Sequence, residues 1–108
     1  MPTYNKLVRD KIPEILEKKN LAYRLKHLDK SQFNTALHEK FQEEWREYQQ
    51  TANNEEAVEE LADLLEVIFA MAEIHGTTKE ELLAVRQRKF LDRGGFDQKY
   101  YLIEVEDK

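Results

Sequence analysis

The sequence predicts a mostly α protein, an antiparallel helical bundle with a minimal two-stranded β ribbon. Three observations lead there. The 108 residues include only 3 Gly and 2 Pro, so helix breakers are scarce and their positions are informative. Charged residues make up 36% of the chain, against about 25% in an average domain, and they are mixed with Leu, Ala and Gln, all good helix formers. The apolar residues in the middle of the chain recur at helical spacing between capping signals. A chain of this length has room for one domain, residues 1–108. Val, Ile, Leu and Phe supply enough apolar side chains for a core.

Taken in order, the first element is a short helix from Asp10 to Asn20, with Asp10 as N-cap and Pro13 in the first turn, where a missing N–H costs least. Leu21 to Leu28 follows, alternating Leu21, Tyr23 and Leu25 with Ala22, Arg24 and Lys26, the period of a half-exposed strand. Asp29 opens a long helix, with Gln32 as its capping-box partner, running to Thr51. Asn53-Asn54 breaks that helix. Asn54 or its neighbour caps a third helix from Glu55 to His75, which Gly76 stops. Thr78 with Glu81 repeats the capping signature and starts a fourth helix ending at Gly94-Gly95. Lys99 to Val105, aromatic and branched, reads as a second strand whose simplest partner is Leu21–Leu28.

Composition excludes several functions. There is no Cys, hence no disulfide framework, zinc–thiolate site or thiol nucleophile. His27, His38 and His75 lack the paired spacing of a zinc site. The longest uncharged apolar run, Val67 to Ala72, is far short of the roughly 20 residues of a membrane span. Met1–Arg9 carries no secretory pattern. These features predict a cytoplasmic protein without a membrane partner. A net charge of −5 argues against nonspecific nucleic-acid binding.

The chemistry emerges when the acids are placed on helical wheels. With Phe41 at zero, Leu37, Trp45 and Tyr48 fall within about 40° of it, and Glu44 falls about 20° from Leu37. Glu47 is the next step round that edge, and Glu43 lies further toward solvent. With Leu61 at zero, the apolar residues of the third helix cover an arc of about 200°, and Glu60 lands inside it, between Val67 and Met71. Asp63 sits at its border. A carboxylate on an apolar stripe costs several kcal/mol unless it is paired or metal-bound. Glu44 with Glu47, and Glu60 with Asp63, each stand at i, i+3. Consecutive antiparallel helices can turn the two pairs toward each other. All-oxygen ligation of this kind suits Mg²⁺ or Mn²⁺. Trp45 and Tyr48 read as packing residues on the same stripe, and His38 as an exposed helix residue without a role.

Glu43-Glu44-x-x-Glu47, twelve intervening residues, then Glu60-x-x-Asp63 resembles the EExxE…ExxD signature of MazG-like all-α nucleoside triphosphate pyrophosphohydrolases. The segment ELADLLEVI (60–68) and the tail Lys89-Phe90-Leu91-Asp92-Arg93-Gly94-Gly95-Phe96 look typical of that superfamily. The opening YNKLVRDKIP (4–13) is similar to its phosphoribosyl-ATP pyrophosphohydrolase-like subgroup. The resemblance implies Mg²⁺-dependent hydrolysis of a nucleotide at the α/β phosphate linkage, giving a monophosphate and pyrophosphate. It places the metal on Glu44, Glu47, Glu60 and Asp63, and the phosphates on Lys89 and Arg93. Glu43 or Glu47 would orient or deprotonate the water. Lys6, Arg9 and Lys11 form a further basic cluster that could contact phosphates. The resemblance also implies homodimers or homotetramers and removal of non-standard or excess nucleotides. Two alternatives stand beside it: a true phosphoribosyl-ATP pyrophosphohydrolase of histidine biosynthesis, and a non-catalytic helical oligomerisation module whose acids serve only solubility.

Overall fold

The computed structural model describes residues 2–107. Its described residues form four α-helices: α1 (Ile12–Lys18), α2 (Lys30–Gln49), α3 (Asn54–Ile74) and α4 (Lys79–Arg93). The protein is mostly α, and local chemistry sets most of the helix ends. Asp29 accepts from the Gln32 backbone N–H while the Gln32 side chain accepts from the Asp29 N–H, a complete capping box. Asn53 caps α3 through the Glu56 N–H, and Thr78 caps α4 through the Glu81 N–H. The Glu81 carboxylate reaches the Thr77 hydroxyl instead of closing a box on Thr78. Gly76, at φ +75°, ends α3. There the Thr77 N–H returns to Ala72 O and the Gly76 N–H to Glu73 O, a closure that needs the left-handed backbone glycine adopts freely.

Two sequence expectations are corrected. Asp10 does not cap α1. The Ile12 N–H bonds back to Arg9 O, so a turn feeds the helix, Lys11 is already near helical at the cap position, and no side chain caps it. The helix closes at Asn20, whose φ of +56° allows the Leu21 N–H to reach Leu16 O. The expected ribbon is the second correction. Neither Leu21–Leu28 nor Lys99–Val105 is a strand, and no strand occurs among the described residues. An isolated two-stranded ribbon is marginal in water and needs a surface to pack on. Here Tyr100, Tyr101, Leu102, Ile103 and Val105 are all exposed.

The core sits between α2 and α3, which pack against each other across the short 50–53 turn. α4 meets α3 more sparsely, and α1 packs closely against none of the longer helices. Leu37, Leu64, Val67 and Ala72 are the buried apolar residues. At about 100° per residue from Leu61, the residues Glu60, Leu64, Val67 and Met71 cluster between about 240° and 300° on α3, the side holding buried Leu64 and Val67. Val58, Leu61, Leu65 and Ile68 form a second apolar stripe, exposed in the single chain. The radius of gyration is 18.5 Å, against about 13 Å for a compact domain of this length. No described helix is long and apolar enough to cross a membrane.

Candidate metal centre

The α2–α3 packing brings the misplaced acids together. Glu44 sits at the edge of the α2 stripe and is only 6% exposed, the one charged residue in the buried core among the described residues. Glu47 lies one turn further along α2. Glu60 projects from the middle of the apolar side of α3. Each of the three offers a carboxylate oxygen within 4.8 Å of the others. Oε2 of Glu44 and Oε2 of Glu60 are both cut off from solvent without a hydrogen-bond partner.

Ionised carboxylates only accept hydrogen bonds, so two that face each other need a proton or a cation between them. The shift of Glu60 records that conflict. The Glu44 carboxylate close beside it is the first cause that pushes its carboxyl up to about 7, helped by lost solvent and the negative charges of Glu44, Glu47 and Asp63. Glu47 is also raised, first by lost solvent and then by Glu44 and Glu43.

The remaining acids are held by cations. Asp63, the expected fourth member, lies outside the three-carboxylate cluster. Its Oδ1 takes a hydrogen bond of 2.5 Å from the Arg9 guanidinium, 54 positions away in sequence. Glu43 receives Lys40 at 3.1 Å and Lys6 at 3.3 Å. Partial burial pushes the Glu43 carboxyl up, but the two lysines outweigh it and hold the group below the usual carboxylate range. Lys40 also stands 3.4 Å from Glu44. Burial works against the Lys40 charge, yet Glu43 and Glu44 raise its pKa. Lys40 escaped the sequence reading, although its i, i+3 and i, i+4 spacing to these two acids was a usable signal.

Beside the acids, a cleft of about 950 Å³ runs between the N-terminal segment and the two long helices. Lys6, Arg9, Lys11 and Lys40 line it together with Glu44 and Asp63, whereas Glu47 and Glu60 do not. Lys89 and Arg93 do not line this cleft. They border a separate hollow with Phe90 and Phe96 at the end of α4, which none of the five acids lines. Trp45 and Tyr48 stack on each other with ring centroids 5.5 Å apart, and His38 hydrogen-bonds the Asn34 carbonyl at 2.8 Å.

The donor set fits a hard divalent cation. It offers only carboxylate oxygens, two of them buried and unpartnered, with no nitrogen or sulfur ligand among the clustered side chains. Compared with protein-family models, with curated proteins and with solved structures, the chain matches none.

Proposed function

We propose that this chain is a divalent-cation-dependent nucleotide pyrophosphohydrolase of the MazG-like all-α type. The observation that carries the reading is the buried Glu44 carboxylate, whose Oε1 meets Lys40 while Oε2 is left without a partner, clustered with Glu60 and Glu47, within the EExxE…ExxD order of the sequence. Burying acids against one another costs several kcal/mol unless a cation accompanies them. Acids kept for solubility alone would not include one buried in the core as Glu44 is. Glu44, Glu47 and Glu60 would hold Mg²⁺ or Mn²⁺, with Asp63 on the same side of α3. When bound, the cation supplies neutralisation of phosphate charge and Lewis acidity toward the anhydride.

The chain's own residues supply the rest. Lys6, Arg9 and Lys40 line the cleft and offer counter-charge to a polyphosphate. Of the two candidates for orienting water, Glu47 is the better. Glu43 is tied to Lys6 and Lys40, whereas Glu47 is the solvent-exposed member of the cluster, where water is at hand. Water adds at the α/β linkage, the P–O bond to the leaving group breaks, and nucleoside monophosphate and pyrophosphate leave. Non-standard or excess nucleotides are the proposed substrates.

A second copy of the chain belongs to this reading. The stripe Val58, Leu61, Leu65 and Ile68 has the spacing of a helix-packing seam and lies uncovered. Lys89 and Arg93 keep their phosphate role only if a neighbouring subunit brings its α4 to the cleft. A homodimer or homotetramer would satisfy both.

The test is pyrophosphate release from a panel of nucleotides that includes phosphoribosyl-ATP, assayed with Mg²⁺ and Mn²⁺. Activity is expected for the wild type. Glu60→Gln and Asp63→Asn should lower it at least 100-fold, on the order of the loss on removing a group that stabilises the transition state, with the helical circular dichroism signal kept. Wild-type protein inactive on every nucleotide would overturn the reading.

A further inference from the structure

The N-terminal segment has a physical peculiarity that its phosphate-binding role does not explain. Among residues 2–10, Leu7 alone is partly covered, so burial does little to hold this stretch. Its two cross-chain ion pairs instead reach one helix each: Lys6 to Glu43 on α2 and Arg9 to Asp63 on α3. The segment is an electrostatic strap across the cleft that Glu44 and Asp63 line, tied to one acid on each long helix. Both cations remain largely exposed, with 58% of the Arg9 side chain and 43% of the Lys6 side chain open to solvent. Exposed pairs of this kind change an equilibrium constant by at most about five-fold. Such contacts are readily exchanged.

We propose that Arg9, assisted by Lys6, is an exchangeable counter-ion that holds Asp63 while the cluster lacks a divalent cation and transfers to the substrate's phosphates once that cation engages the acids. This rests on the metal reading above and adds a coupling to it. The cluster of Glu44, Glu47 and Glu60, with Glu43 and Asp63 beside it, stands against the cations Lys6, Arg9, Lys11 and Lys40. A divalent cation brings two further positive charges and competes with Arg9 for Asp63. The released guanidinium then faces the cleft it already lines, and its fork of donors suits a polyphosphate chain. Metal and polyphosphate therefore bind cooperatively, and linkage makes the coupling reciprocal. The effect has an unusual sign. Removing Arg9 should tighten metal binding in the absence of substrate and weaken phosphate binding in its presence.

Calorimetry on the full chain separates the possibilities, with Mn²⁺ alone as the first probe and inorganic tripolyphosphate at saturating Mn²⁺ as the second. Arg9→Gln is expected to bind Mn²⁺ about two- to five-fold more tightly than wild type. The same variant should bind tripolyphosphate about ten-fold more weakly, through loss of charge-assisted hydrogen bonds. Arg9→Lys, which keeps the charge, should restore most of both values. Lys18→Gln removes an equal charge from an ammonium paired with Glu14, and it should change neither. Arg9 is exposed enough that these variants should fold, which circular dichroism checks. Equal or weaker Mn²⁺ binding by Arg9→Gln overturns the exchange while leaving the metal site standing. An equal effect of Lys18→Gln also overturns it, by reducing it to net charge. Failure of wild-type protein to bind Mn²⁺ at all overturns the metal reading, and the exchange with it.

Discussion

The α2–α3 pair and the stretch from α4 to the C-terminal tail draw on the same residue types, yet they sit in opposite states. In the first, Leu37, Leu64, Val67 and Ala72 are buried and even a carboxylate, Glu44, is drawn inside. In the second, Phe90, Leu91, Phe96 and the aliphatic and aromatic residues of 100–105 are exposed, and α4 contains no buried residue. In one half a core closes within the chain, although the α3 stripe Val58, Leu61, Leu65 and Ile68 stays exposed. The other presents apolar surface that a soluble monomer rarely carries in one continuous stretch. The first half also carries the three-carboxylate cluster, with Glu44 buried and Glu47 exposed.

The contrast is broken most severely by cavity formation. Leu64→Ala, in the α2–α3 core, should cost about 2–5 kcal/mol, read as a lower urea midpoint. Leu102→Ala in the exposed tail should cost less than about 0.5 kcal/mol if nothing covers it, and more if a partner does, so the pair of midpoints measures the contrast directly. Next in size is Leu65→Glu, which puts a charge on the exposed α3 stripe while leaving the α2-facing side intact. Sedimentation equilibrium should show the assembly reduced to monomers that remain helical. An unchanged mass would remove this stripe from any interface. The smallest effect expected is at the caps. Asp29→Ala, which removes a complete capping box, should lose about 1 kcal/mol, and Thr78→Ala somewhat less. Chemical denaturation followed by circular dichroism resolves the two.

Features governed by neighbours in sequence were legible before the structure. Asp29 with Gln32, Thr78 before Glu81, and Gly76 carry enough local chemistry to fix the ends of α2, α3 and α4. The helical wheel likewise found Glu44 and Glu60, because burial of a carboxylate follows from its angle on a helix. Features that depend on distant parts of the chain were not legible. The alternation of Leu21–Leu28 describes an extended segment equally well, and whether it becomes a strand depends on a partner the chain does not provide. Asp10 failed as a cap because the turn closed on Arg9 O had already set the backbone at Lys11. The Arg9–Asp63 pair joins residues 54 positions apart, which no local pattern encodes. The positions of Lys89 and Arg93 depend on how α4 docks, and that docking is sparse in the single chain.

The central claim is that Glu60, half-buried on the apolar side of α3 beside Glu44, stands there for a cation and at a cost to the fold without one. Its carboxyl rises from an ordinary 4.5 to about 7 on folding, so over that window the folded protein binds more protons than the unfolded one. Stability without metal is therefore fullest below the ordinary value and is lost as pH rises through about 7. Glu44, Glu47 and Asp63 oppose the Glu60 charge, while Lys40 supports Glu44 from α2. Thermal unfolding of wild type and Glu60→Gln at pH 8, in EDTA and in Mn²⁺, tests this directly. In EDTA the variant should melt above wild type. Mn²⁺ at a hundred times its Kd should raise the wild-type melting temperature by about 10 °C and leave Glu60→Gln unmoved. A variant that melts below wild type in EDTA, with a wild type indifferent to Mn²⁺, would contradict the claim.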